Sequence, residues 1–182
     1  KPQNLRERIF GSTADRVVRA GLCPIVVVKR VTDDPYQRVI AAIDFSPMSF
    51  AAAQAATQIA PSAKIELIHA FEIPLTFEQA MLKVGTSQAE LDRYREAKAQ
   101  TAYAELRSVR ADLAVAGKIR VVRGDPATAL VRVARSGRAD LIALGIQGKN
   151  AVSRLILGSV ARRVLAASSC DVLLAGGAMS RD

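Results

Sequence analysis

The chain has 182 residues, 50% of them hydrophobic, and its formal net charge is +9 at pH 7. This length is enough for one well-buried α/β domain and a short additional segment. No apolar run approaches the ~20 residues that a membrane-spanning helix needs. The absence of Trp and the few other aromatic residues argue against a stacking platform for single-stranded nucleic acid.

The positive charge is concentrated at the start of the chain. Residues 1–30 hold seven Lys or Arg and two Asp or Glu, a net charge of +5, and residues 31–182 contribute the remaining +4. A basic balance favours phosphate-bearing partners in general. Because no nucleic-acid recognition motif accompanies it, a solvated basic face is the better interpretation, and we expect neither a nucleic-acid nor a membrane partner.

Cysteine and histidine are too scarce to indicate a metal centre. Cys23 and Cys170 lack metal-type spacing, and a lone histidine, His69, builds neither a metal site nor a catalytic triad without unusual partners. We expect both thiols to be small core residues in a reducing compartment. The first residues lead into a charged segment without the apolar stretch of a secretory leader, so the expected location is the cytoplasm.

The beginning of the chain repeats its end. Residues 10–28 align with residues 157–175 at a constant offset of 147 without a gap. The identical positions in the first copy are Gly11, Ser12, Ala14, Arg16, Val17, Ala20 and Cys23. Internal repeats indicate duplicated structural units, so residues 1–30 are predicted to be the last helix and strand of a truncated first domain in a tandem protein.

The strand of this first unit needs a partner. Residues 25–28 are a continuous apolar, β-branched run, which is typical of a strand buried on both faces. We therefore expect strand 25–29 to pair with strand 172–175, within the chain or between chains. The polar residues 31–37 are predicted to be a linker.

Residues 38–176 are predicted to be a complete domain, and residues 177–182 a tail. The expected strands are residues 38–43, 64–71, 118–123, 140–144 and 171–175. The expected helices are residues 47–59, 87–116, 126–137 and 160–167. This alternation predicts an α/β fold with an open, mainly parallel, doubly wound sheet of five strands, Rossmann-like, with the N-terminal helix–strand unit added at one edge.

Local signals mark several helix starts. Ser46 before Pro47 is a strong start, residues 87–90 form a capping box, and residues 124–127, Gly-Asp-Pro-Ala, are a turn that leads into a capped helix. Residues 72–86 carry no such signal, and we expect them to be an irregular, mobile flap beside the site.

A glycine pattern follows the strand at residues 140–144. Gly145 and Gly148 are followed, after nine residues, by Gly158 and Ser159. Glycine lacks a Cβ, so backbone N–H groups can approach a phosphate closely, and the next helix start adds unpaired N–H groups and the positive end of its dipole. Asp44 ends the first strand, and ligands gather at the carboxyl ends of strands in such sheets.

Together these features resemble the ATP-binding branch of the universal stress protein family. The glycine pattern resembles its nucleotide loop, residues 41–46 (AAIDFS) stand where the family has VAVDxS, and the GDPA turn is also similar. The resemblance covers residues 38–176 fully and residues 5–30 as a partial second copy. It implies an ATP-binding nucleotide sensor or regulator of the stress response that forms homo-oligomers.

The resemblance also implies which residues bind the nucleotide. The loop glycines, with Ser159 and Val160, would let the backbone cradle ribose and phosphates, and Asp44 would face ribose or a Mg²⁺ ion bound with ATP. Ala42 and Leu144 would wall the adenine, and the backbone of Ala70 would offer hydrogen bonds to it. The implied residues are Ala42, Asp44, Ala70, Leu144, Gly145, Gly148, Gly158, Ser159 and Val160.

Two departures from the family pattern would lower the affinity without abolishing the loop: Ile146-Gln147 between the glycines, and Ala151 where the family often has Gly. Arg154 either reaches a phosphate or is solvated.

Two other functions remain open. One is a slow ATPase or nucleotidyl transferase working by positioning and metal alone, since Asp44 is the only carboxylate assigned to the site. The other is a dimerisation module that binds no nucleotide.

Overall fold

The computed structural model describes residues 23–148 and 157–176, in which six strands form one sheet flanked by helices on both faces. The strands are β1 (Ile25–Val27), β2 (Arg38–Ala42), β3 (Lys64–Phe71), β4 (Ile119–Arg123), β5 (Leu141–Gly145) and β6 (Asp171–Ala175). The helices are α1 (Pro47–Ile59), α2 (Leu75–Lys83), α3 (Gln88–Asp112), α4 (Pro126–Gly137) and α5 (Ser159–Ala167). The predicted mostly parallel α/β fold is confirmed.

The strand order is β1-β6-β5-β2-β3-β4, with β1 antiparallel to β6 and all other pairs parallel. The chain runs outward from β2 to β4 on one side, then crosses back to β5 and runs outward to β6. The order therefore reverses between β2 and β5, and a crevice opens at such a reversal at the carboxyl ends of the strands.

Alternate residues of each strand serve the two faces of the sheet. One face packs Ile40, Ile142 and Leu174 against α4 and α5, and the other packs Val39, Leu141 and Leu173 against α1 and α3. Both faces are buried, which explains why β5 and β6 are near-continuous apolar runs.

The predicted pairing of the first strand is confirmed within the same chain. Ile25 lies opposite Leu174 and Val27 opposite Val172. The strand is shorter than expected, and the expectation of burial on both faces is wrong: its residues are only half-buried, and Val28 is 60% exposed. As an edge strand, β1 has a neighbour on one side only among the described residues. The helix predicted before it falls in residues 1–22, outside the described residues.

The expectation of an irregular segment at residues 72–86 is wrong, because α2 occupies its middle. Pro74 precedes nine residues free of Gly and Pro and rich in good helix formers. No residue of α2 is buried, so no apolar periodicity marked it. An ion pair between Glu78 and Arg95 of α3, with atoms 2.6 Å apart, attaches it to the domain.

Other element boundaries follow local signals. Helix α1 and strands β3 and β6 have the predicted limits, and the capping box formed by Ser87 and Glu90 is present. Helix α3 ends at Asp112 rather than at 116, because Ala114 adopts a left-handed φ of 51° that ends the helix.

The predicted tail, Ala151 and Arg154 lie outside the described residues. No described helix has the length and apolar character needed to cross a membrane.

Candidate functional site

A cavity of ≈ 440 Å³ opens at the carboxyl edge of the sheet, where the strand order reverses between β2 and β5. All nine residues that the sequence predicted as nucleotide-binding line it: Ala42, Asp44, Ala70, Leu144, Gly145, Gly148, Gly158, Ser159 and Val160. The structure thus brings together residues that are up to 118 positions apart in the chain, from Ala42 to Val160. Their role in binding stays a prediction.

The start of α5 points its backbone donors at this cavity. The Gly158 N–H donates to the Ile146 carbonyl at 2.8 Å, and the first turn of the helix closes when Arg162 N donates to Gly158 O at 2.9 Å. The N–H groups of residues 159–161 therefore have no acceptor within the helix. Gly158 supplies no capping side chain, and no acidic residue lies in the first turn. The positive end of the helix is thus directed at the cavity.

Space, and not backbone dihedral, explains the glycines of the loop. A Cβ on Gly145 would lie 2.9 Å from Met48 Cβ, and one on Gly158 would lie 3.1 Å from the Ile146 carbonyl oxygen. A Cβ on Gly148 would lie 2.8 Å from Asp44 Oδ2, which makes Gly148 and Asp44 direct neighbours across the cavity. A phosphate or a metal ion beside this contact would meet both backbone and a carboxylate.

Asp44 serves the fold as well as the cavity. Its Oδ1 accepts hydrogen bonds from the N–H (3.1 Å) and the hydroxyl of Ser46, which is the N-cap residue of α1. Between them, Phe45 adopts a φ of +62°, an uncommon conformation for a bulky residue. Asp44 therefore supports the helix start, while its Oδ2 faces Gly148.

The backbone of Ala70 is presented to the cavity by the stagger of two strands. The pairing of β2 with β3 ends at Ala42 and Ile68, and Ile43 N donates to Ile68 O at 2.8 Å. In a parallel strand alternate residues direct N–H and C=O to the same neighbour. Ala70 therefore directs both groups to the β2 side, beyond the end of β2. Small side chains at Ala42 and Ala70 leave room for a flat ligand beside them.

The structure adds residues to the site that the sequence analysis did not assign to nucleotide binding. These are Ile43, Ser49, Ile68, Pro126, Leu130, Ile146, Gln147 and Ala161. Pro126 opens α4, and Leu130, one turn later on the same face, is buried at 3% exposure. The GDPA turn identified this helix start, and its position after β4 could have placed it at the carboxyl edge. Nothing in the sequence pattern indicated Ser49.

His69 lies on the other side of the sheet from the cavity residues of β3. Its Nδ1 is 2.8 Å from the Ile43 carbonyl oxygen, and its ring packs on Phe45 at a centroid distance of 4.6 Å. The predicted structural role for His69 fits this arrangement.

An ion pair joins two walls of the cavity. Arg163 of α5 donates from Nη1 to Asp125 Oδ2 at 2.7 Å and from Nη2 to Asp125 Oδ1 at 2.6 Å. Asp125 is also the N-cap of α4, accepting from Thr128 N at 3.0 Å. The hydrogen bonds from Arg163, followed by those from Thr128, hold the pKa of the Asp125 carboxyl well below its usual range.

Residues 35–176 match the model of the universal stress protein family. A universal stress protein of Methanocaldococcus jannaschii is 27% identical over 139 residues, which cover 76% of this chain and 81% of that protein. A universal stress protein of Mycobacterium tuberculosis is 30% identical over an alignment of 184 positions, which covers 94% of this chain and 57% of that protein. The chain thus spans little more than half the length of its mycobacterial relative.

Solved structures agree with the fold. The universal stress protein UspA of Lactobacillus plantarum superposes with a TM-score of 0.63 at 21% identity, over 78% of this chain and 99% of that one. A universal stress protein in complex with cAMP superposes with a TM-score of 0.52 at 28% identity, over 78% of this chain and 98% of that one.

Proposed function

The chain belongs to the universal stress protein family, and we propose that it binds an adenine nucleotide, ATP with Mg²⁺, in the cavity at the carboxyl edge of the sheet. The observation that carries the proposal is the convergence of all nine residues implied by the family resemblance on one cavity of ≈ 440 Å³. A cavity of this size is typical of small-ligand sites.

The two ends of the cavity suit the two ends of a nucleotide. At one end, Gly148 and the first turn of α5 present backbone donors, which favour phosphate. At the other, the apolar side chains of Ile68, Leu130 and Leu144 form walls, and the Ala70 backbone offers a donor and an acceptor for a base edge. Asp44 lies beside Gly148 and would take a ribose hydroxyl or a phosphate-bound Mg²⁺, both of which carboxylates bind.

One universal stress protein has been solved in complex with cAMP, so the proposal must also say which kind of adenine nucleotide binds. ATP differs from cAMP in carrying β- and γ-phosphates, and the donors of the α5 start extend the cavity in the direction where those groups would lie. We therefore place ATP before cyclic nucleotides as the ligand.

A regulatory role is favoured over catalysis. Among the described residues that line the cavity, Asp44 is the only carboxylate and no histidine is present, so a general base for hydrolysis is not apparent. A slow ATPase would depend on positioning and metal charge alone. In the proposed role the protein acts as a cytoplasmic sensor in the stress response, and ATP occupancy is its signal.

The test is calorimetric titration of the chain with ATP, AMP, cAMP and GTP, each with and without Mg²⁺. The proposal predicts that ATP binds more tightly than AMP and cAMP, because only ATP reaches the full set of α5 donors, and that Mg²⁺ strengthens ATP binding alone. GTP should bind more weakly, since the Ala70 backbone meets a different base edge. Absence of binding for all four nucleotides would leave the dimerisation module as the function.

A further inference from the structure

The Arg163–Asp125 ion pair lies where it can control the shape of the cavity. Asp125 immediately precedes Pro126 of α4, and Arg163 lies one helical turn after Ser159 of α5. Pro126 and Ser159 both line the cavity, on helices that face each other across it. The pair therefore joins the two helix starts at the cavity mouth, 38 residues apart in the chain.

The geometry of the pair suits a role in fixing the distance between the two helix starts. Both terminal nitrogens of the guanidinium donate to the two carboxylate oxygens, at 2.7 and 2.6 Å, and Nη2 also lies 3.3 Å from Thr128 Oγ1. A bidentate fork fixes direction as well as distance. The carboxylate is itself held by Thr128 N and by the Thr128 hydroxyl at 2.6 Å, so it is oriented from two sides.

Although its side chain is 51% exposed, Arg163 is engaged by the Asp125 carboxylate and is not the cation that a phosphate would meet first. Its neighbour Arg162 is exposed on the same helix. The internal repeat distinguishes the two: Arg16 stands at the position of Arg163, whereas Asp15 stands at the position of Arg162. The first copy of the repeat thus retains the arginine of the pair and not its neighbour.

We propose that Arg163 and Asp125 are positioning residues that fix the separation of the α4 and α5 starts and thereby pre-form the cleft for the adenosine part of the nucleotide. This inference rests on the proposed function, since the cleft must bind adenosine for its separation to matter. The apolar core still packs the two helices together without the pair, but the separation of their starts would be less closely fixed until ligand binds, which lowers affinity.

Two substitutions separate positioning from simple charge. Arg163→Gln removes a positive charge near the phosphate end, and Asp125→Asn removes a negative one. Charge alone predicts weaker ATP binding for the first and tighter binding for the second. Positioning predicts weaker binding for both, by about three- to tenfold, the cost of ordering about one further side chain. Asn is as good an N-cap as Asp, so α4 still begins correctly in Asp125→Asn.

The experiment is calorimetric titration of these variants with ATP and with adenosine. Positioning lowers both affinities by the same factor, since adenosine occupies the pre-formed part. Arg162→Gln is the matched control, with the same charge change on the same helix, and should leave the adenosine affinity unchanged. Arg163→Lys keeps the charge but loses the fork, and should bind as weakly as Arg163→Gln.

Several results would overturn the inference. These are tighter ATP binding by Asp125→Asn, full affinity in Arg163→Lys, or an equal loss in Arg162→Gln. If the unsubstituted protein bound no adenine nucleotide, the proposed function would fail first. Hydrogen exchange would then decide the inference: Arg163→Gln must speed exchange at residues 126–131 and 159–163 relative to Arg162→Gln, and unchanged exchange would contradict it.

Discussion

The two ends of the sheet carry cavities of similar volume, ≈ 440 Å³ at the carboxyl edge and ≈ 480 Å³ at the amino edge, with different chemistry. At the amino edge the carboxylates are occupied by the protein itself. Asp171 accepts from Lys29 N at 2.7 Å and from the Tyr36 hydroxyl at 2.8 Å, and Asp140 accepts from Gln37 N at 2.8 Å. These bonds attach residues 29–38 to the starts of β5 and β6.

At the carboxyl edge the polar groups point into the cavity instead. The first turn of α5 and the Ala70 backbone direct their groups there because strands end and helices begin at this edge. Cavity volume therefore does not distinguish the two ends. The distinction lies in whether the polar groups bind other parts of the chain, as at the amino edge, or point into the cavity.

The largest expected effect is a loss of ATP affinity from a substitution in the carboxyl-edge cavity. Gly148→Arg should reduce ATP affinity by about a hundredfold or more, ~2.7 kcal/mol, because its Cβ would already lie 2.8 Å from Asp44 Oδ2 and the rest of the side chain would fill the space for phosphate. Gly137→Arg is the matched control, since no atom lies within 4 Å of a Cβ there. Calorimetry on both variants checks this, and equal affinities would place the nucleotide elsewhere.

The next effect is a loss of stability from a substitution at the amino edge of the sheet. Asp171, only 5% exposed, holds two backbone N–H groups and a phenol, so Asp171→Ala should lower the free energy of unfolding by about 2 kcal/mol through unsatisfied donors. ATP affinity should not change. Urea unfolding measures the loss, with Asp33→Ala, an exposed linker carboxylate, as the control. A drop in ATP affinity comparable to that of Gly148→Arg would mean that the two ends are not independent.

The same variant has a spectroscopic signature. Burial, and next the hydrogen bond to Asp171, raise the pKa of Tyr36 to about 12. The neutral phenol is therefore favoured in the folded state, and its stabilising effect is full below about pH 10 and is lost as the pH rises toward 12. An alkaline absorbance titration should show one of the three tyrosines titrating late in the unsubstituted protein, and earlier in Asp171→Ala.

A smaller effect sharpens the role of Asp44. Asp44→Ala should weaken Mg²⁺–ATP binding by about tenfold, the value of one hydrogen bond to a charged group, and should weaken metal-free ATP binding less. Asp34→Ala is the control. It removes a carboxylate at the amino edge that likewise accepts a hydrogen bond within its own turn, from the Thr32 hydroxyl at 3.2 Å. If Asp44→Ala instead only destabilised the fold, Asp44 would be a helix-start residue without a ligand role.

The smallest effect concerns pH. The hydrogen bonds from Arg163 and Thr128 lower the pKa of Asp125 in the folded state. The stabilisation is therefore complete above the unfolded value of about 3.9 and is lost as the pH falls below it. The stability difference between the unsubstituted protein and Arg163→Gln, ~1 kcal/mol or less for such a partly exposed pair, should shrink below about pH 4. A difference that persists at pH 2 would assign the effect to packing.

Local chemistry and strand order made much of this molecule predictable from sequence. Ser46-Pro47 gave the start of α1, and the glycine pattern gave the cavity, because the carboxyl ends of parallel strands meet at one edge. Side-chain contacts between segments that no motif or repeat links were not predictable. Helix α2 has no buried face and depends on Glu78 and Arg95, and the Arg163–Asp125 pair joins residues that no motif links. The exposure of Val28 depends on where the sheet ends.

The most direct test of the contrast between the two ends is hydrogen exchange of the unsubstituted protein with and without saturating Mg²⁺–ATP. We predict slower exchange at residues 145–148, 158–161 and 70, and unchanged exchange at residues 29–38. Protection at residues 29–38, with none at the start of α5, would contradict the account and place the ligand at the amino edge.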